Sequence, residues 1–184
     1  MRLFIAIEPP EAWRRTAAEA AAALDEAHPG LLRLVRPELL HLTLRFLGEV
    51  DGERLEPLQA ALREAVPPVE IALELGAPGM FGGSRGGAIW LGVGGDVEGL
   101  RALAARVETA VAAAGLPEQR RELRAHLTIA RVRRQARGGE RRAIAASVRA
   151  LAAPEPAPFV ARELVLVRSW LRPEGPRYRA LARF

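Results

Sequence analysis

The phrase His-Leu-Thr-aliphatic occurs twice in this 184-residue chain, as His41-Leu42-Thr43-Leu44 and as His126-Leu127-Thr128-Ile129, with starts 85 residues apart. Two of the chain's three histidines lie in it. Large aliphatic and β-branched residues in alternation read as the opening of a strand. Side chains at i and i+2 of a strand share a face, so each His stands beside its own Thr. Leu42 and Leu44, or Leu127 and Ile129, then face a core. A lone strand histidine is ordinarily structural. Two identical phrases at near half-chain spacing demand more: a fold in which two such strands come together. Together they supply an acid, a base and two hydroxyl donors, a set suited to phosphoester chemistry. The third histidine, His28, precedes Pro29-Gly30 at the end of an alanine-rich helix. It reads as a cap on the last carbonyls and is given no chemistry.

The repetition extends around the two phrases. Leu3 to Ile7 reads as a strand, followed by a helix that opens at Pro9-Pro10 and runs to about Ala27. Ile89 to Val93 reads as its counterpart, followed by a helix capped by Asp96 and ended by Gly115 and Pro117. After the first His strand, Asp51 caps a helix to about Ala65. After the second, residues 139–151 read as a helix closed by Pro154, Pro156 and Pro158. Strands over 69–75 and 159–168 follow, with a last strand over 177–183. Strand, helix, His strand, helix, strand thus appears twice. The expected fold is α/β in the α+β sense and bilobal. It is internally duplicated, with two antiparallel-rich sheets around a central cleft, helices on the outer faces and pseudo-two-fold symmetry. The whole of 1–184 forms one domain, with lobes over about 1–80 and 87–170. Pro78-Gly79 and Gly82-Gly83 read as turns joining them; with no lysine in the chain, this glycine-rich stretch is not a phosphate loop of the Gly-Lys-Ser/Thr kind.

There is no cysteine, which excludes disulfides, thiolate zinc sites and a cysteine nucleophile. The N-terminal apolar run is too short for a signal sequence and no segment approaches membrane-spanning length, so a cytoplasmic monomer without a membrane partner is expected. The net charge is +5, and every basic residue is arginine. Codon bias accounts for most of these positions, although guanidinium groups also bind phosphate bidentately and stack on bases. The cluster Arg131, Arg133, Arg134, Arg137, Arg141 and Arg142 reads mainly as a solvated face.

Opening a cyclic phosphodiester needs a base for the attacking water, an acid for the departing oxygen and donors for the non-bridging oxygens. Two imidazoles can divide the first two tasks near neutral pH, and Thr43 and Thr128 can serve the third. No cofactor is needed. A metal is a weaker reading, because Glu38, Glu49 and Asp51 flank only the first phrase, while Glu122 alone precedes the second.

His41-Leu42-Thr43-Leu44-Arg45-Phe46-Leu47-Gly48 and His126-Leu127-Thr128-Ile129-Ala130-Arg131 resemble the paired His-x-Thr-x motifs of the 2H phosphoesterase superfamily. With Val35-Arg36-Pro37 and the Arg131 position, the resemblance is nearest to its bacterial branch, the RNA 2′,3′-cyclic phosphodiesterases, also called 2′-5′ RNA ligases. It covers the whole chain. The resemblance implies His41 as proton donor to the leaving 3′-oxygen and His126 as the base that activates water. It also implies Thr43, Thr128 and Arg131 on the phosphate, and Phe46 stacked on a base. The substrates would be RNA with 2′,3′-cyclic phosphate ends, tRNA fragments among them, or cyclic phosphates of nucleotides or ADP-ribose. Ligation would be the reverse reaction, using the same acid and base. A non-catalytic nucleotide- or RNA-binding module is the alternative of another class. Phe46 and Arg131 each lie five residues after their His. Strict alternation carries both to the opposite face, unless the strand ends or bulges there.

Overall fold

Pro9 and Pro10 end the first strand, β1 (Arg2–Ile7), and the alanine-rich run behind them forms helix α1 (Glu11–Ala27). Trp13, Ala17, Ala21 and Leu24, at helical spacing, are its buried stripe. The structure, a computed structural model, describes residues 1–82, 87–119, 122–155, 157–173 and 175–184. It continues through β2 (Leu32–Leu34), a 3₁₀ turn at Pro37–Leu39, β3 (Leu42–Glu49), α2 (Leu55–Ala65), β4 (Ile71–Phe81) and β5 (Ala88–Gly95). Then come α3 (Val97–Ala113), β6 (His126–Val132), α4 (Gly138–Ala150), β7 (Phe159–Ala161), β8 (Val165–Arg172) and β9 (Gly175–Arg183). Asp96 caps α3 as its position indicates, its carboxylate accepting from Gly99 N at 2.8 Å. The fold is α+β.

The strands form one continuous antiparallel sheet rather than two. Its order is β7-β4-β5-β6-β3-β1-β8-β9, with β2 paired to β6. Where a separation was expected, Leu42 of β3 pairs with Leu127 of β6 and joins the halves. The two His strands are therefore central neighbours. The expected strand over 159–168 is really two strands, β7 beside β4 and β8 beside β1, in opposite halves of the sheet. Likewise β4 follows the first His strand in sequence yet pairs with β5. A division of the chain near residues 80–87 thus does not coincide with a division of the sheet.

All four helices pack their buried residues into one core with Leu3, Ile5 and Ile7 of β1, Leu42 and Leu44 of β3, and Leu127 and Ile129 of β6. The opposite face of the sheet carries a small separate cluster, Phe4, Ala6, Val165 and Val167, with Tyr178 packed against it. His28 does not cap with its ring: its backbone N–H reaches Asp25 O, and its Nε2 lies 2.8 Å from Ser147 Oγ of α4.

Pro78-Gly79 is not a turn but part of β4, which runs past a bulge after Leu75 to Phe81. Gly83 and Pro156 lie outside the described residues. Gly79 sits opposite Trp90, and a Cβ there would lie 2.3 Å from two atoms of the indole ring. The indole lies flat over the missing side chain. Gly79→Ala should therefore displace Trp90 and lower stability by about 1–3 kcal/mol, as overpacking does. Denaturant unfolding with the tryptophan emission recorded checks both effects, and unchanged stability with unchanged emission contradicts the packing.

Candidate active site

Leu39 and Leu40 are buried apolar residues at the end of the 3₁₀ turn that precedes β3. Arg14 of α1 clamps this turn, donating from Nη1 to Pro37 O at 2.6 Å and to Leu40 O at 3.4 Å. The turn delivers Leu39 O to His41 Nδ1 at 2.7 Å. His126 has the same arrangement, its Nδ1 2.6 Å from Arg124 O. A carbonyl oxygen only accepts, so each Nδ1 carries a proton. That leaves Nε2 of each ring as the nitrogen that can exchange a proton, accepting one when the imidazole is neutral and giving one when it is protonated.

Aromatic rings fix the imidazoles sideways. His41 packs on Phe4, centroids 4.6 Å apart, and meets Tyr178 of β9 edge-on at 5.3 Å. His126 meets Phe81 edge-on at 5.0 Å and lies 6.1 Å from Trp90. Sequence reasoning missed all four rings. They come from β1, β9, β4 and β5, and nothing local to either His-Leu-Thr phrase points to them.

Thr43 pairs with Ala6, and Thr128 with Trp90, so each Thr lies on the face of its strand that carries the His. Beyond the Thr, both strands break alternation at the same place. In β3, Thr43 opposes Ala6 and Arg45 opposes Ile5, which makes Leu44 an extra residue. In β6, Thr128 opposes Trp90 and Ala130 opposes Ile89, which makes Ile129 the extra one. A β-bulge shifts every later side chain to the other face. Phe46 is consequently opposite Phe4, with ring centroids 5.9 Å apart, and Arg131 is opposite Ala88, on the face of Trp90. Both join the His/Thr face, contrary to strict alternation. Phe46 is 54% exposed, a large aromatic offered to solvent beside the histidines.

The bulge also turns Arg45 inward. It is buried, paired through Nε with Glu108 of α3 at 2.5 Å, and bonded to Gln119 Oε1 at 3.1 Å and to Pro117 O. It pins the segment before β6 against β3. Between them opens a cavity of about 790 Å³, lined by Thr43, Phe46, Phe81, Glu108, Gln119 and His126 among others.

Burial pushes His41 below its ordinary value of 6.5; the Leu39 carbonyl opposes this, while His126, Arg131 and Arg14 add positive charge that reinforces it. Burial likewise raises the Tyr178 phenol, and Arg131 and Arg2 pull it back. Arg131 is thus within electrostatic reach of both groups on the His41 side, although it follows His126 in sequence.

A family model of the 2′-5′ RNA ligase superfamily matches residues 8–170. The chain belongs to this superfamily. Among curated relatives, an RNA 2′,3′-cyclic phosphodiesterase of Archaeoglobus fulgidus is 32% identical over 100% of this chain and 99% of its own length. One of Aeropyrum pernix is 30% identical over 84% of this chain and 87% of its own. Among solved structures, TT0787 of Thermus thermophilus is 29% identical with a TM-score of 0.74, covering 100% of this chain and 97% of that one. E. coli LigT complexed with 3′-AMP is 26% identical with a TM-score of 0.72, covering 100% and 96%. As for membranes, no helix among the described residues is long and apolar enough to cross one.

In an NMR titration of the free protein, the His41 ring should titrate below 6.5. Arg131→Ala should move its midpoint upward, since removing a nearby positive charge favours protonation. Folding lowers the proton affinity of this ring, so the stability linked to it is fully present above pH 6.5 and lost as pH falls through the folded value. A midpoint above 6.5, or a downward shift in the variant, contradicts the arrangement.

Proposed function

We propose that this protein hydrolyses RNA 2′,3′-cyclic phosphate ends to 2′-phosphomonoesters, with His126 as base and His41 as acid. The observation that carries the reading is the matched pair of imidazoles, each held through Nδ1 by a carbonyl with Nε2 left to work, on neighbouring central strands. The names of the curated relatives support the substrate.

In this mechanism His126 Nε2 takes a proton from water, and the water oxygen bonds to phosphorus. The bond from phosphorus to the 3′-oxygen breaks, and that oxygen takes the proton from His41 Nε2. The cycle ends with a 2′-phosphate, a 3′-hydroxyl, a protonated His126 and a neutral His41, and exchange with solvent resets the rings. The Thr43 and Thr128 hydroxyls and the Arg131 guanidinium hold the non-bridging oxygens, where charge builds in the transition state. Phe46, exposed beside the 790 Å³ cavity, offers its ring to the terminal base. Burial alone favours neutral His41, so its acid role depends on the bound phosphate, whose negative charge favours the protonated ring. Ligation is then not hydrolysis reversed, as expected above, but a transesterification in the same direction: a 5′-hydroxyl of a second RNA takes the place of water, gives its proton to His126 and displaces the 3′-oxygen, which His41 protonates.

His41→Ala and His126→Ala should each lower kcat/KM on a cyclic-phosphate RNA end by about 10²-fold or more with the fold intact. A nucleotide p-nitrophenyl ester, whose leaving group needs little protonation, should separate them. On it His41→Ala should regain most of its lost rate, while His126→Ala stays severely impaired. Equal losses on both substrates contradict the division of labour, and reversed losses exchange the roles.

Among the described residues no three His, Asp or Glu side chains converge in a metal-binding group. Exhaustive chelation should accordingly leave the hydrolysis rate nearly unchanged. Loss of activity that one added divalent ion restores contradicts the two-histidine mechanism.

A further inference from the structure

The bulge at Ile129 has a second effect, on the far side of Arg131. Strand β2 runs antiparallel to the end of β6 and places Arg33 directly opposite Arg131. Two like charges opposite each other across a sheet repel, and both side chains are exposed. Among the described residues neither is in an ion pair, nor are Arg133 and Arg134. Arg133 is tied to β2 through its Nε, which donates to Leu32 O at 2.9 Å. These four arginines line a groove of about 560 Å³, walled on the β5 side by Gly87 and Ala88.

The position of this groove gives it meaning. The cavity beside Phe46 lies along β3 and is bounded by the segment that precedes His126. The arginine groove lies along β6 and is bounded by the strand that precedes the His41 turn. Phe46 lines the first and Arg131 the second, each five places after a histidine and turned to the His/Thr face by a bulge at the same offset. The first has Phe46 and Phe81 in its wall and charged side chains of both signs; in the second the charged side chains are all arginine. Thr128 and Arg131 oppose Trp90 and Ala88, two residues apart on β5, so about 7 Å separates them along the sheet and the groove beyond Arg131 starts close to the reacting phosphate.

We infer that the part of this groove beyond Arg131, lined by Arg33, Arg133 and Arg134, is a second phosphate subsite, which takes the phosphodiester on the 5′ side of the terminal nucleoside. The inference rests on the cyclic phosphodiesterase reading above and deepens it. The substrate class is then an oligoribonucleotide end, at least a dinucleotide carrying a 2′,3′-cyclic phosphate, rather than a mononucleotide cyclic phosphate. Arginine is suited to this because its planar fork engages two phosphate oxygens at once.

The test compares three substrates: a mononucleoside 2′,3′-cyclic phosphate, a dinucleotide ending in the same group, and that dinucleotide with an uncharged methylphosphonate between its nucleosides. The wild type should favour the charged dinucleotide over the other two by about tenfold or more in kcat/KM, the scale of a charged hydrogen-bonded contact. The gain should fall with salt, the logarithmic slope being steeper by about 0.7 for each added phosphate contact. Arg33→Ala should abolish the preference and leave the mononucleotide rate within about twofold, and Arg134→Ala should reduce it. Both residues are exposed, and circular dichroism confirms that each variant is folded. Equal rates on the charged and uncharged dinucleotides overturn the subsite while leaving the two-histidine reaction standing. So does an Arg33→Ala loss that is the same on all three substrates, which marks a structural role. Failure of the wild type to open any of the three overturns the catalytic reading and the subsite with it.

Discussion

The hydrogen-bonded pairing of Leu42 with Leu127 is the point on which the rest of the molecule turns. Both side chains are buried among the helices. Because β3 and β6 meet so near their starts and run in opposite directions, the residues beside this pair are the two His-Thr sets. Antiparallel geometry then sends the strands apart. Each leaves a flank beside the segment that leads into the other. A longer overlap would fill those flanks with backbone pairing. A shorter one would leave the imidazoles on separate bodies.

Buried apolar packing sets that geometry, while a few polar contacts refine it. Arg14 holds the turn before His41, and Arg45 holds the segment before His126. Arg14 reaches only main-chain carbonyls, whereas Arg45 reaches the Pro117 carbonyl and also the Gln119 and Glu108 side chains. Arg45 is the more demanding of the two, since a buried guanidinium needs the Glu108 carboxylate to offset its desolvation. The aromatic rings on either side of the imidazoles act differently: they restrict rotation and exclude water without competing for the working nitrogen.

Much of this was legible in the sequence. His41, Thr43, His126 and Thr128 were visible because a repeated tetrapeptide carries its own register, and the structure puts all four on one face. The helices were visible through apolar spacing and caps such as Asp96. The bulges at Leu44 and Ile129 were not, because an extra strand residue leaves the pattern of apolar side chains almost intact. Phe46 and Arg131 therefore looked misplaced until the partners Phe4 and Ala88 were known. The union of the strands into one sheet, and the separation of β7 from β8, were hidden for a related reason. Pairing partners are chosen across long sequence distances, and the short link between Ala161 and Val165 resembles a continuation of one strand. Pro78-Gly79 looked like a turn because the pair usually makes one; the indole of Trp90 explains the glycine instead.

The crossing of β4 and β8 has a consequence for how the molecule comes into being. β4 belongs to the first half of the chain but pairs with β5, and β8 belongs to the second half but pairs with β1. Neither half can complete its own sheet. During synthesis the first strand can pair early with β3, but its second partner, β8, emerges more than 150 residues later, and such distant closures slow folding. The same interlock makes partial assembly useless as a catalyst. A chain cut between β4 and β5 would leave β4 and β8 each on the wrong fragment, so two pieces could restore the molecule only by clasping one another. Both histidines thus belong to a single cooperative event: either the whole sheet exists, or neither ring has a face to stand on.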